Sequence, residues 1–174
     1  MRRIIILIIT SISCIFCSSQ TKINKSKEID ISITTPLKLE TKKEIMYSIK
    51  NNSDKTYIID PYGFAGESYW LLNTKKMNPI QFSRGYYSHD KSDCINDIII
   101  IKSNEKIEKA LSLNYRERAI YDYSETGNYV RVVKSNHNKQ NSMPLSCKQY
   151  IDDLELKGYH FLNDSIVANI PFVK

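Results

Sequence analysis

The sequence predicts an all-β fold: an Ig-like antiparallel β-sandwich with two loop-rich insertions and one short helix. Three observations carry this. The composition is rich in Ile and in Tyr (twelve), with only five Gly and five Pro, and β-branched and aromatic residues suit a pleated, half-buried surface. Runs of strict apolar/polar alternation recur along the chain. Clusters of short polar residues separate those runs, as turns do.

Taken in order, the chain opens with Arg2 and Arg3, an apolar run from Ile4 to Ile9, and a small-residue exit at Cys17-Ser18-Ser19. A charged start, a short apolar middle and small residues before a polar stretch describe a secretory signal over residues 1–19. The apolar middle falls short of the roughly 20 residues a membrane-spanning helix needs. Two endings are open: cleavage before Gln20, or lipidation at a cysteine, for which Cys17 has the longer apolar run before it. Residues 20–28 read as a flexible N-terminus or tether, and residues 29–174 as one domain.

Ile29, Ile31 and Ile33 alternate with polar residues and form one face of a strand that Pro36 stops. Ile45, Tyr47 and Ile49 do the same. Asn51-Asn52-Ser53-Asp54 then turns the chain, and Thr56 to Ile59 reads as the return strand of a hairpin. Tyr69 to Leu72 is a short strand. Residues 73–96 form the first polar insertion, with Ile80 to Phe82 as its one strand. Ile98 to Ile101 is continuously apolar, as in a strand covered on both faces. Ile107 to Leu113 adds another strand. After Tyr129 to Val133, the stretch Ser135 to Ser142 reads as a polar loop, and Pro144 to Leu156 as a short helix ending at Gly158. Ile166, Ala168, Ile170 and Phe172 share the face of a last strand, with Pro171 pointing away, which suits an edge or terminal strand.

The segment Glu125-Thr126-Gly127-Asn128-Tyr129 has an acid, a glycine and a tyrosine at alternate positions. This is the pattern of a tyrosine corner, where the hydroxyl bonds back to the backbone of the preceding connection. With the strand Ile45 to Lys55 ending in Asn-Asn-Ser-Asp-Lys, and the last strand Ala168 to Val173, it resembles exported bacterial Ig-like domains. The second strand is similar to that of bacterial proteinase-inhibitor-like sandwiches and of the N-terminal sandwich of deuterolysin-type metallopeptidases. The resemblance implies a fold rather than an activity. The sequence departs from the peptidases in lacking His-Glu-x-x-His.

Charge and cysteines bound the function. Removing Arg2 and Arg3 from the 25 basic residues leaves 23 against 19 acids, a net charge of +4 spread along the chain. No nucleic-acid recognition pattern accompanies it. Removal of the leader at Cys17 or Gln20 leaves Cys94 and Cys147 as an even body pair, which reads as a disulfide in an oxidising compartment. Neither has the CxxC neighbour of a zinc site.

No catalytic pattern emerges. His89, His137 and His160 stand at no ligand spacing, no Gly-x-Ser-x-Gly turn exists, and Gly63 to Ser68 lacks the Lys of a phosphate loop. Adjacent Asp152 and Asp153 cannot face each other on a helix. The expectation is a non-catalytic protein with no cofactor and no metal. Tyr62, Phe64, Tyr69, Trp70, Arg84, Tyr86 and Tyr87 crowd one third of the chain, and Tyr, Trp and Arg dominate interface energetics. Tyr62, Phe64, Arg84, Tyr86 and Tyr87 are therefore the candidate binding residues, for an envelope protein or glycan. The alternative is a secreted proteinase inhibitor. The expected location is exported (periplasmic, outer-membrane-attached or extracellular), with membrane contact only through a lipid anchor.

Overall fold

In the computed structural model, the described residues are 19–39, 44–84, 91–114, 117–141 and 145–174. Residues 1–18 of the expected signal, Cys17 among them, and Tyr86, Tyr87 and His89 lie outside them. The elements run β1 (Ser19–Lys22), β2 (Ile29–Thr35), β3 (Leu37–Lys38), β4 (Met46–Asn51), β5 (Tyr57–Ile59), β6 (Phe64–Leu72), β7 (Lys75–Lys76), β8 (Gln81–Arg84), α1 (Lys91–Asp97), β9 (Ile99–Ile101), β10 (Lys106–Ala110), β11 (Glu117–Ile120), β12 (Tyr129–His137), α2 (Leu145–Leu156), β13 (His160–Phe161) and β14 (Asp164–Val173). The fold is all-β and sandwich-like, as expected, with two helices where one was expected.

One sheet has the order β1-β2-β4-β10 and another β3-β14-β12-β6-β7. The alternating residues do what their period demands. Ile29, Ile31, Ile33, Tyr47 and Ile49 of the first sheet are buried and pack in one cluster with Phe64, Tyr129, Val133, Ile166, Ile170 and Phe172 of the second. Burying an aliphatic or aromatic side chain of this kind contributes about 1.5–3 kcal/mol, so this shared layer is what holds the sandwich together. Pro171 is exposed, and the outer edge of β14 pairs with the two-residue β3 at Phe172 and Val173 and, through one bridge, with Asn24 at Ile166.

A third sheet, β13-β5-β9, closes one end of the sandwich. Its strands are covered on both sides. Tyr57, Ile59, Ile99 and Ile101 join the main core, while Ile58 joins Ile98, Ile151, Leu154 and Phe161 in a second cluster beneath α2. This accounts for the continuous run Ile98 to Ile101. It also corrects the expected hairpin: β4 pairs with β2 and β10, whereas β5 pairs with β9 and β13. The reason lies in buried Asn51. Its amide nitrogen donates to the carbonyls of Lys55 (2.6 Å) and Lys102 (3.0 Å), and its oxygen accepts from Ser53 N–H (3.0 Å), so the turn hands the chain from one sheet to the other.

The two insertions, residues 73–96 and 135–164, each bring a helix to this end, and the Cys94–Cys147 disulfide joins α1 to α2, with the two Cα atoms 5.2 Å apart at a sequence separation of 53. In the chain-entropy account, closing a loop of that length stabilises the fold by about 4 kcal/mol.

Residues 20–28, expected as a tether, are built into the fold. Residues 19–22 pair with β2. The Asn24 side chain accepts from Ile31 N–H (2.7 Å), and donates to Ile29 O (2.7 Å) and to the Asp164 carboxylate. Asp164 in turn accepts from the backbone of Lys25 (3.2 Å) and Ser26 (3.0 Å). β12 also runs on to His137, through part of the expected polar loop, because Ser135 and His137 face inward beside Val133.

The tyrosine corner forms as its sequence implies. Tyr129 is buried and its hydroxyl donates to Glu125 O at 2.7 Å. Gly127 is needed for close approach: a Cβ there would stand 2.5 Å from Leu72 Cδ1 and 2.7 Å from Asn73 Nδ2.

Candidate functional site

A cleft of about 860 Å³ opens between the hairpin β6–β7 and the segment that follows β10, with the two-stranded ribbon β8–β11 contributing Phe82 and Ala119. Local sequence leaves this side of β6 open. Asn73 and Thr74 adopt left-handed conformations (φ 48° and 74°), the geometry of a two-residue hairpin turn. β7 then pairs only with Leu71 and Leu72. One more bond, Met77 N–H to Trp70 O at 2.9 Å, ends the ladder, and Pro79, which lacks an N–H, follows shortly.

Among the described residues, no strand pairs with residues 65–70 on that side. A side chain takes the place of a strand. With its carboxamide turned to suit both neighbours, Asn114 donates to Gly66 O (2.8 Å) and accepts from Ser68 N–H (3.2 Å). Asn114 is more than nine-tenths buried. On its opposite edge β6 presses close to β12: a Cβ on Gly66 would stand 2.0 Å from Lys134 O.

Arg131 lies in the cleft lining, beside Trp70 and Tyr47. On β12 it shares the inward face with Tyr129, Val133, Ser135 and His137, yet it is only half-buried, because the cleft reaches it. Among the described residues, no carboxylate stands within ion-pair distance of its guanidinium, and no hydrogen bond to it exists. Its charge is felt by neighbouring phenols. Burial pushes the Tyr123 hydroxyl up to about 12, and Arg131 opposes that rise. Tyr47 is likewise pushed up by burial and opposed by Arg131. Trp70 stacks edge-on to Tyr123 (5.1 Å between centroids) and packs on Phe172 (4.6 Å). The Lys76 ammonium lies 4.5 Å from the Tyr69 ring centre. The cleft therefore combines aromatic surface, a guanidinium with no ion pair among the described residues, and backbone hydrogen-bonding groups.

The expected binding residues divide. Tyr62 lines the cleft, as do Tyr69 and Trp70, and Trp70 also packs against the main core. Phe64 is corrected: it is 0% exposed and its ring sits 4.5 Å from that of His137, so it is core. Arg84 ends β8, but its side chain lies outside the described residues. Sequence reasoning missed Arg131, Asn114 and Phe82, which is 51% exposed.

His137 does not complete a catalytic group. It is buried, its Nδ1–H donates to Leu162 O, and its Nε2 accepts from Asp60 N–H at 3.1 Å. Its ring stacks on Phe161 at 4.7 Å. Burial holds its pKa below the ordinary range. Both nitrogens are thus committed to backbone groups. Among the described residues, no three His, Cys, Asp or Glu side chains gather as a metal would require, and no helix is long and apolar enough to cross a membrane. The chain matches no protein-family model, and no curated protein matches it.

Proposed function

We propose that this is a non-catalytic, exported, Ig-like domain that binds a macromolecule at the cell envelope through the cleft beside β6. The observation that carries this reading is that Tyr62, Tyr69, Trp70 and Phe82 line one cleft together with an inward-facing arginine that has no hydrogen bond or ion pair among the described residues. Aromatic anchors and arginine are the residues on which binding energy concentrates. Export is supported by the leader pattern of residues 1–19 and by the Cys94–Cys147 bond, which persists in oxidising compartments. Kinship with Ig-like sandwiches is supported by the tyrosine corner. A catalytic role for His137 is disfavoured by its engagement with backbone on both ring nitrogens.

The test is affinity capture from envelope extracts with the native protein and with Phe82→Ser. Phe82 is half exposed, so the substitution leaves the fold intact. The expected result is one reproducible partner, recovered at least tenfold less well by the variant. Recovery unaffected by Phe82→Ser moves the binding surface elsewhere. Inhibition of a protease at micromolar concentration, with no envelope partner, replaces this reading with the inhibitor.

A further inference from the structure

We infer that the ligand of the cleft is an extended polypeptide segment that adds as a strand to the open edge of β6 and sets a carboxylate against Arg131. This rests on the cleft being a binding site, and goes beyond it by naming the chemistry of the partner.

The polypeptide follows from the edge. A strand whose neighbour is missing presents N–H and C=O groups at the spacing of another backbone. On β6 those groups belong to Gly66 and Ser68, and what meets them is a carboxamide, a single peptide unit carried on the Asn114 side chain. Gly66 is exposed and adds no side chain, so another backbone can come close. The cleft continues the edge for the length of a short strand, from Glu67 to Trp70 on one wall and from Ala110 to Asn114 on the other. The outer edge of β10 is a poorer acceptor, since Lys106, Glu108 and Lys109 are exposed along it and charges discourage pairing. A sugar chain offers hydroxyls to the backbone groups of β6 but lacks the regular backbone spacing that matches a strand edge.

The carboxylate follows from charge. A guanidinium half-buried at the base of a cleft is well placed to receive an anion, and a carboxylate meets it with two parallel hydrogen bonds. Among the described residues, the acids that line the cleft do not supply one. Glu67 pairs with Lys134 at 3.4 Å, and Glu44 is exposed without an ion pair to Arg131. Lys76 adds a second positive charge to the wall. A segment with an acidic side chain or a free C-terminus fits both features.

Trp70 is the sole tryptophan and lines the cleft, so its fluorescence reports occupancy. The probes are two capped octapeptides of alternating Thr and Val, one with a central Glu and one with Gln in its place, and a tetra-uronate oligosaccharide. The native protein is expected to bind the Glu peptide at least tenfold more tightly than the Gln peptide. Arg131→Met should bind both at the level of the Gln peptide, and Asn114→Ala, which clears the edge, should bind both several-fold more tightly than the native protein. Equal binding of the two peptides by the native protein overturns the inference, as does response to the uronate alone, or silence toward all three probes at millimolar concentration. These results are read on the native protein, so misfolding of a variant cannot rescue the inference. If the peptides fail while envelope capture still depends on Phe82, only the peptide chemistry falls and the cleft remains a binding site.

Discussion

Two polar residues on one face of one strand meet opposite fates. His137 and Arg131 both point inward from β12. At the end of the sandwich closed by the third sheet and the linked helices, His137 has a backbone partner on each nitrogen and aromatic rings beside it. At the other end, Arg131 has aromatic neighbours but no hydrogen bond or ion pair among the described residues. Burial of a polar group is tolerated when its bonds are made inside the protein. A polar group left unmade beside a cleft is where a ligand can make them. On the proposed function, the closed end serves folding and the open end serves binding.

The largest expected effect breaks the closed end. Replacing Cys94 and Cys147 with Ser together should lower stability by about 4 kcal/mol, read as a lower urea midpoint. His137→Gln should cost about 3 kcal/mol at neutral pH, because it removes ring packing and strands one or both backbone partners. The same residue predicts an acid response. The folded state holds the His137 pKa below its ordinary 6.5, so its contribution is present above that pH and is lost as pH falls, when the unfolded chain takes up a proton that the fold resists. Stability of the native protein should decline below pH 6.5 more steeply than that of His137→Gln, as denaturation series at pH 7.5 and 5.5 would show.

Smaller effects sharpen the contrast from the other side. Tyr129 lies next to the open end but is satisfied, so Tyr129→Phe should cost about 1 kcal/mol for the lost bond to Glu125 O. Arg131→Met should leave stability within about 0.5 kcal/mol of native, since no partner is orphaned among the described residues and the stem keeps its packing.

The elements that the sequence made legible are those whose pattern names a face or a fixed local bond. Alternation placed Ile29, Ile31 and Ile33, then Tyr47 and Ile49, then Ile166 and Ile170 in the core, where they are found. Glu125 to Tyr129 foretold a hydrogen bond between two named groups. Alternation says nothing of partners, however, so β4 and β5 read as a hairpin although Asn51 sends them to different sheets. Glycine hid the first half of β6: Gly66 weakens the strand signal, yet close contact with β12 requires it. The site was legible in part. Tyr62, Tyr69 and Trp70 announced an aromatic surface. Phe64 shared their neighbourhood in sequence but not in space, since inward-facing positions of β6 lead toward His137 at one end and the cleft at the other. Arg131 was invisible because Val130, Val132 and Val133 surround it. A lone arginine in such a strand reads as its solvent side, and only the position of the opposite sheet shows that it faces in.

The most direct test of the division is equilibrium urea unfolding of the native protein, His137→Gln and Arg131→Met at pH 7.5, side by side. The account predicts a midpoint sharply lowered by His137→Gln and unmoved by Arg131→Met. An Arg131→Met midpoint lowered as far as that of His137→Gln would contradict it, because the arginine would then belong to the fold and not to a ligand.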